Sequence, residues 1–198
     1  MALYRKVIDE ISSWGAAILS AIPGNIGVRL RSWHYSLMTD QGNSLVIERG
    51  CEFRNTGNIH FGRMVSIGAN CLFDASEGEI YCGDASAFNA GLHVNASKGG
   101  TIRIGQDCLF GPGVKIFTAN HRFDQIDIPI RQQGNYIANV EIGNNCWIGA
   151  NAVLTAGIKL GDGVVIGAGA VVTSDIPAYT LAVGVPARPV KQLQSTTE

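Results

Sequence analysis

The chain has 198 residues, with 15 Lys+Arg against 16 Asp+Glu and a formal net charge of -1. That balance offers no basic field to hold a nucleic-acid backbone and argues against a nucleic-acid partner, while 46% hydrophobic residues are enough to bury a core. Only 16% of residues are charged and 25 are glycine, which disfavours a helical bundle and points to a turn-rich, all-β body.

The first 45 residues lack the repeat that organises the rest. Val7–Ile22 reads as one helix, amphipathic or buried, ended by Pro23-Gly24. Trp14–Ile22 is apolar, but Asp9 and Glu10 precede it and no small-x-small cleavage site follows, so a secretory leader is not expected. No apolar run reaches the ~18–20 residues of a membrane span. Arg29, Arg31, Trp33 and Tyr35 then mix basic and aromatic side chains. Residues 1–45 are expected to form a helical cap over the start of the repeating body. The alternative is a peripheral foot on a membrane surface.

The phrase apolar-x-apolar-Gly recurs as IHFG at 59–62, IYCG at 80–83, IRIG at 102–105, VEIG at 140–143 and IKLG at 158–161. From residue 142 onward Ile142, Ile148, Leu154, Leu160, Ile166 and Val172 keep an unbroken step of six. A helix would repeat at 3.6 and a simple strand at 2, so neither accounts for the pattern. A six-residue unit is a short strand plus a corner, and three units close a triangular coil with the aliphatic residue inside. The last phrase interval is 18 residues, one such coil; the first two, 21 and 22, need small loops near Ser76–Glu79 and Asn95–Gly100. The remaining interval of 38 is one coil plus an excursion within about 117–139, where the hexad is absent. Long insertions in compact domains are usually functional.

Cys51, Cys71, Cys82, Cys108 and Cys146 form an odd set with no C-x-x-C pair, which suits reduced thiols in a cytoplasmic protein. Cys71, Cys108 and Cys146 each stand four residues after a hexad aliphatic, a slot that alternation also turns inward. Trp147, between Cys146 and Ile148, turns outward by the same alternation and should be covered by something.

Three segments carry a resemblance: ANH at 119–121, VEIGNNCWIGANAVLTAGIKLGDGVVIGAGAVVTSDIP at 140–177, and VGVPARPVK at 183–191. In this order and at these intervals the chain resembles, over roughly residues 46–193, the hexapeptide-repeat acetyltransferases. The branch is that of the galactoside, maltose, nodulation-factor and capsular-polysaccharide O-acetyltransferases. The resemblance implies a left-handed parallel β-helix over 46–193, broken by the excursion, with a helical cap at 1–45 and a tail at 194–198. The hand comes from the resemblance and departs from the usual right-handed crossover.

The resemblance also implies a site. His121 matches the family's catalytic histidine, and imidazole is the side chain best placed to take a hydroxyl proton near neutral pH. The sequence does not reveal what orients the ring; Asp124 or a backbone carbonyl would serve. Asn89 matches an asparagine that positions the acceptor or the reacting centre, with His93 and Asn95 near enough to share the task, whereas His34 and His60 read as structural or solvent-facing. Trp147 matches a position beside the donor thioester. Ala150 and Ala168 match positions whose backbone amides meet the pantetheine arm, and the Ala150 amide is the candidate oxyanion donor. Thr173 and Ser174 match a cofactor-lining pair, although many relatives carry lysine where this chain has Ser174. Arg188 and Lys191 match basic residues near the adenosine phosphates.

The implied activity is acetyl-CoA-dependent O-acetylation of a carbohydrate, free, lipid-linked or polymeric, by direct transfer in a homotrimer, with no metal. A nucleotide-sugar N-acetyltransferase of the same fold and a non-catalytic scaffold are the alternatives. A serine acetyltransferase is disfavoured by the missing D-R-H-P signature, and a zinc carbonic anhydrase by the lack of two closely spaced histidines.

Overall fold

The computed structural model describes residues 14–38 and 45–194. Its body is a left-handed parallel β-helix. Trp147–Ile148, Val153–Leu154 and Lys159–Leu160 are three successive sides of one coil, each only two residues long because a corner follows at once. Each side pairs in parallel with its counterpart on the neighbouring coil: Trp147 with Val165, Val153 with Val171 and Glu141 with Lys159. The recurring phrases fall in register, Ile59 beside Ile80, Ile80 beside Ile102, and Ile102 beside Val140. The expected coil starts therefore stack on one face.

Three faces result. The first runs from Val46–Ile47 through Ala87–Phe88, Leu109–Phe110 and Trp147–Ile148 to Thr180–Val183. The second runs from Glu52–Arg54 through His93–Asn95 and Lys115–Phe117 to Val171–Val172. The third runs from Ile59–Phe61 to Lys159–Leu160. The hexad aliphatics Ile142, Ile148, Leu154, Leu160, Ile166 and Val172 are all buried, and so are all five cysteines. The thiols of Cys71, Cys108 and Cys146 donate to carbonyls of the next coil, those of Asn89, Gly143 and Gly161, at 3.2–3.3 Å. Burial pushes the Cys82 thiol well up.

The outer faces differ in chemistry. On the third, Glu141 pairs with Lys159 at 2.9 Å, and Arg103 lies 4.2 Å over the Tyr81 ring, which stacks on His60. On the first, Leu109 and Trp147 are in register and more than half exposed. Trp147 thus turns outward as its place in the alternation requires.

Among the described residues the N-terminal region holds two helices. Residues 14–21 are helical (α1); the start of the expected Val7–Ile22 helix, up to residue 13, lies outside the described residues, as do 39–44. A break at 22–23 confirms Pro23 as a stop, and the expected helical cap continues in a second helix, α2 (Gly24–Met38), whose bounds the sequence did not single out. Its spacing explains it: Gly27, Arg31 and Tyr35 are buried at i, i+4 and i+8, while Ile26, Arg29, Leu30 and Trp33 share the exposed side. A Cβ at Gly27 would collide with the Ile22 carbonyl, so glycine lets the helices close on each other. Arg31 ties three parts together. Its guanidinium donates to the carbonyls of Leu19 (2.9 Å) and Ile22 (2.7 Å) at the end of α1, and to that of Ile47 (3.0 Å) on the first coil. Tyr35 packs 4.5 Å from the Phe53 ring. The opposite end closes with a hairpin, Thr180–Val183 turning antiparallel onto Arg188–Gln192.

Candidate active site

The excursion leaves the second face at Thr118, which is fully buried and acts as a pivot. Its amide donates to Asn95 O (3.2 Å), its hydroxyl accepts from the Ser97 amide (2.8 Å), and its carbonyl accepts from the Ala138 amide (2.9 Å). From this anchor Ala119–His121 and Asn135–Ile137 form an antiparallel ribbon in which His121 faces Asn135. The segment between them is pinned rather than slack. The Gln133 side chain donates to the carbonyls of Gln125 and Ile128, both at 2.7 Å, and accepts from the Gln125 amide at 3.1 Å. The tip presents Phe123, Ile126 and Ile130 to solvent; Ile126 is 97% exposed.

His121 is therefore held on a two-stranded ribbon, a far more defined position than a bare loop. The sequence left its orienting partner open, and Asn135 fills the place. The Asn135 amide satisfies its surroundings when its nitrogen faces Gly134 O (3.2 Å) and His121 Nδ1 (2.9 Å) and its oxygen accepts from Lys98 Nζ (2.6 Å). In that orientation Nδ1 is an acceptor, which places the proton of the neutral ring on Nε2. Neither Asn135 nor Lys98 was legible as a site residue. Their only sequence signal is that each lies at an interruption of the hexad.

Asn89 and Trp147 come together in a shallow groove of about 460 Å³ along the first face, lined also by Val46, Ala87, Leu109 and Phe110. The Asn89 Oδ1 accepts from the Ala90 amide at 2.8 Å, so its amide nitrogen is the end left for a ligand. His121 does not line this groove. His93 sits on the second face with its ring edge-on to Phe117, and burial lowers its basicity. Asn95 is engaged with Ser97.

The corner between first and second faces differs from the corner between third and first. At the latter, backbone amides are capped by side chains: Arg63 N by Asp84 (2.9 Å), Gln106 N by Asn144 (3.1 Å) and Asn144 N by Asp162 (2.7 Å). At the former stand Ala150 and Ala168, whose amides meet no acceptor among the described residues. Coils approach closely here because Gly111 and Gly149 face the Ala150 and Ala168 amide nitrogens, where a Cβ would come within 2.5 Å. The result is a column of small side chains and free N–H groups, suited to a ligand rich in carbonyl oxygens.

The other expected cofactor contacts lie elsewhere in the chain. Thr173 and Ser174 are exposed after Val171–Val172, at the far edge of the second face from Ala150 and Ala168. Arg188 and Lys191 lie on the closing strand of the first face, in register with Val183 and Leu181. That strand is three strand spacings from Trp147, roughly 14 Å. One chain thus brings together Asn89 with Trp147, and Ala150 with Ala168. It leaves His121, Thr173 and Ser174 across a face from them. No three His, Cys, Asp or Glu side chains among the described residues converge as metal ligands. No helix among them is long and apolar enough to cross a membrane.

Residues 139–174 match the family model described as bacterial transferase hexapeptide (six repeats). The chain is 32% identical over 164 residues to a putative lipopolysaccharide biosynthesis O-acetyl transferase of Escherichia coli, covering 79% of this chain and 83% of that protein. It is 32% identical over 190 residues to nodulation protein L of Rhizobium meliloti, covering 94% and 91%. A probable acetyltransferase of Mycobacterium tuberculosis is 34% identical over 79% of this chain, which spans only 55% of that protein's length. Among solved structures, a maltose O-acetyltransferase from Clostridium difficile superposes with a TM-score of 0.64 at 26% identity, covering 96% of this chain and 88% of that one.

Proposed function

The chain belongs to the hexapeptide-repeat acetyltransferases, and we propose that it moves the acetyl group of acetyl-CoA to a hydroxyl of a sugar or polysaccharide precursor. The observation that carries this reading is His121 on its braced ribbon at one edge of the second face, with the open amides of Ala150 and Ala168 at the other. Pantetheine would run along the alanine column with its phosphates toward Arg188 and Lys191 and its thioester near Trp147. Thr173 and Ser174 would line the opposite wall. Asn89 would hold the acceptor. In its Nδ1-protonated tautomer, with Nε2 free, His121 takes the hydroxyl proton as the oxygen attacks the thioester carbonyl. The Ala150 amide steadies the oxyanion. The C–S bond then breaks, and the sulfur leaves with the proton that His121 returns.

Because the two walls lie on different edges of one prism, the complete groove forms between protomers, and the assembly is a homotrimer. The exposed Trp147 and Leu109, and the Phe123 and Ile126 tip, are the surfaces that such an assembly would cover. Ile26, Leu30 and Trp33 on the outer side of α2 are the contact with a membrane surface when the acceptor is lipid-linked. The protein acts in the cytoplasm, where acetyl-CoA is available.

The test is a free-thiol assay with wild type and His121→Ala across hydroxyl and amino sugars. A loss of about 10²–10⁴-fold on hydroxyl acceptors is expected; an undiminished rate would remove the mechanism. The Nε2-protonated ring favours one competitor, N-acetylation, since an amine needs less of a base. Turnover of amino sugars alone would select it.

A further inference from the structure

Base catalysis requires Nε2 of His121 to accept a proton, yet Asn135 holds the neutral ring with its proton already there. We infer that Lys98 and Asn135 are positioning residues that hold His121 in this resting tautomer, and that turning the Asn135 amide over makes the ring a base. The inference rests on the proposed role of His121.

The geometry sets the preference. In the resting orientation every neighbour of the Asn135 side chain is complementary: Gly134 O and His121 Nδ1 accept from its nitrogen, and Lys98 Nζ donates to its oxygen. In the reverse orientation the oxygen would accept from Nδ1–H and free Nε2 for the acceptor hydroxyl. It would also place the oxygen 3.2 Å from Gly134 O and the NH₂ group 2.6 Å from the Lys98 ammonium. Two like dipoles and a donor–ammonium contact oppose that state. Lys98 is well placed to impose this. It lies in the loop that lengthens one coil, at positive φ (52°), directly after Ser97, whose amide bonds to the Thr118 pivot of the excursion. Asn135 is equally fixed, since it faces His121 across the ribbon and its carbonyl accepts from Arg122 Nε at 3.3 Å. No covalent step is involved. The ring proton leaves Nε2 and one is taken up at Nδ1 through solvent as the amide turns.

The test reads the tautomer directly. Long-range ¹H–¹⁵N correlation spectra of the intact, uniformly ¹⁵N-labelled protein at pH 8 assign the protonated nitrogen of His121, with His121→Ala identifying its signals. Wild type is expected to be protonated on Nε2. Asn135→Asp supplies a carboxylate that accepts from both Nδ1–H and Lys98 Nζ, so the ring is expected to switch to Nδ1–H and kcat on a hydroxyl sugar to rise several-fold. Lys98→Met removes the ammonium and should give a mixture of the two tautomers. A wild-type ring protonated on Nδ1 would overturn the inference. So would an Asn135→Asp protein that switches tautomer with no gain in kcat, or a Lys98→Met spectrum identical to wild type. Full activity in His121→Ala, by contrast, would refute the base role while leaving the tautomer result standing on its own.

Discussion

Gly149 lies directly against Ala168 of the next coil, where a methyl group added to the glycine would stand 2.5 Å from the Ala168 amide nitrogen. The contact is with backbone, so no side chain can swing aside to make room. Gly149→Ala is expected to lower stability by about 1–3 kcal/mol and, by displacing the Ala168 amide, to weaken CoA binding. Urea unfolding and a thermal-shift titration with CoA measure the two effects.

Ala168 offers the complementary experiment. Its side chain is exposed, so a larger residue does not disturb the core. Ala168→Leu should leave the melting temperature unchanged while raising KM for acetyl-CoA about tenfold, equivalent to about 1.4 kcal/mol. Steady-state kinetics at fixed acceptor check it, and an unchanged KM would move the cofactor away from this corner.

Arg31 joins two helices to the first coil through three carbonyl groups. Removing it takes the arginine donor from the Ile22 and Ile47 carbonyls, while the Leu19 carbonyl keeps the Ile22 amide. Arg31→Ala should destabilise the N-terminal region by about 2–4 kcal/mol. Limited proteolysis should then cut between the helices and the prism well before the β-helix itself unfolds, as followed by mass spectrometry.

Asp74 gives a pH dependence of definite sign. Burial pushes its carboxyl up, but the Ser76 hydroxyl and amide, together with Arg54 at 3.1 Å, outweigh that and hold it below the ordinary carboxylate range. The unfolded chain therefore binds this proton more readily than the folded one. The stabilisation is complete above about pH 4 and is lost as pH falls through the lowered folded value. Melting temperatures between pH 7 and 3 should show an acid limb that is shallower in Asp74→Asn.

His93 acts in a higher window. Its basicity is lowered mainly by burial, so the unfolded state takes up its proton first and stability falls as pH drops below about 6.5. His93→Phe, which keeps the ring beside Phe117, should flatten the melting-temperature profile between pH 7 and 5.

The β-helix could be read from the chain because its rule is local: an aliphatic at every sixth residue, with a glycine where the coils touch. Ile59, Ile80, Ile102 and Val140 stack because sequence spacing and strand register are the same quantity in a solenoid. The second helix escaped that reading because Gly24, Gly27 and the buried Arg31 speak against a helix until the carbonyls that Arg31 satisfies are known. For the site, His121 stood out through its match to a family pattern. Its partners Lys98 and Asn135, separated from it by 23 and 14 residues, are brought to it only by a loop and a ribbon that follow no repeat.

The closing hairpin bears on how the molecule stays discrete. A stack of parallel strands has no intrinsic last member, and an uncovered terminal rung would offer ready pairing sites to another chain. Here the final strand runs the opposite way, carries Pro189 where a donor would be, and shows Arg188 and Lys191 to solvent. Trimming the chain before Arg188 would expose that growth point, and the product should elongate into filaments by end-to-end addition.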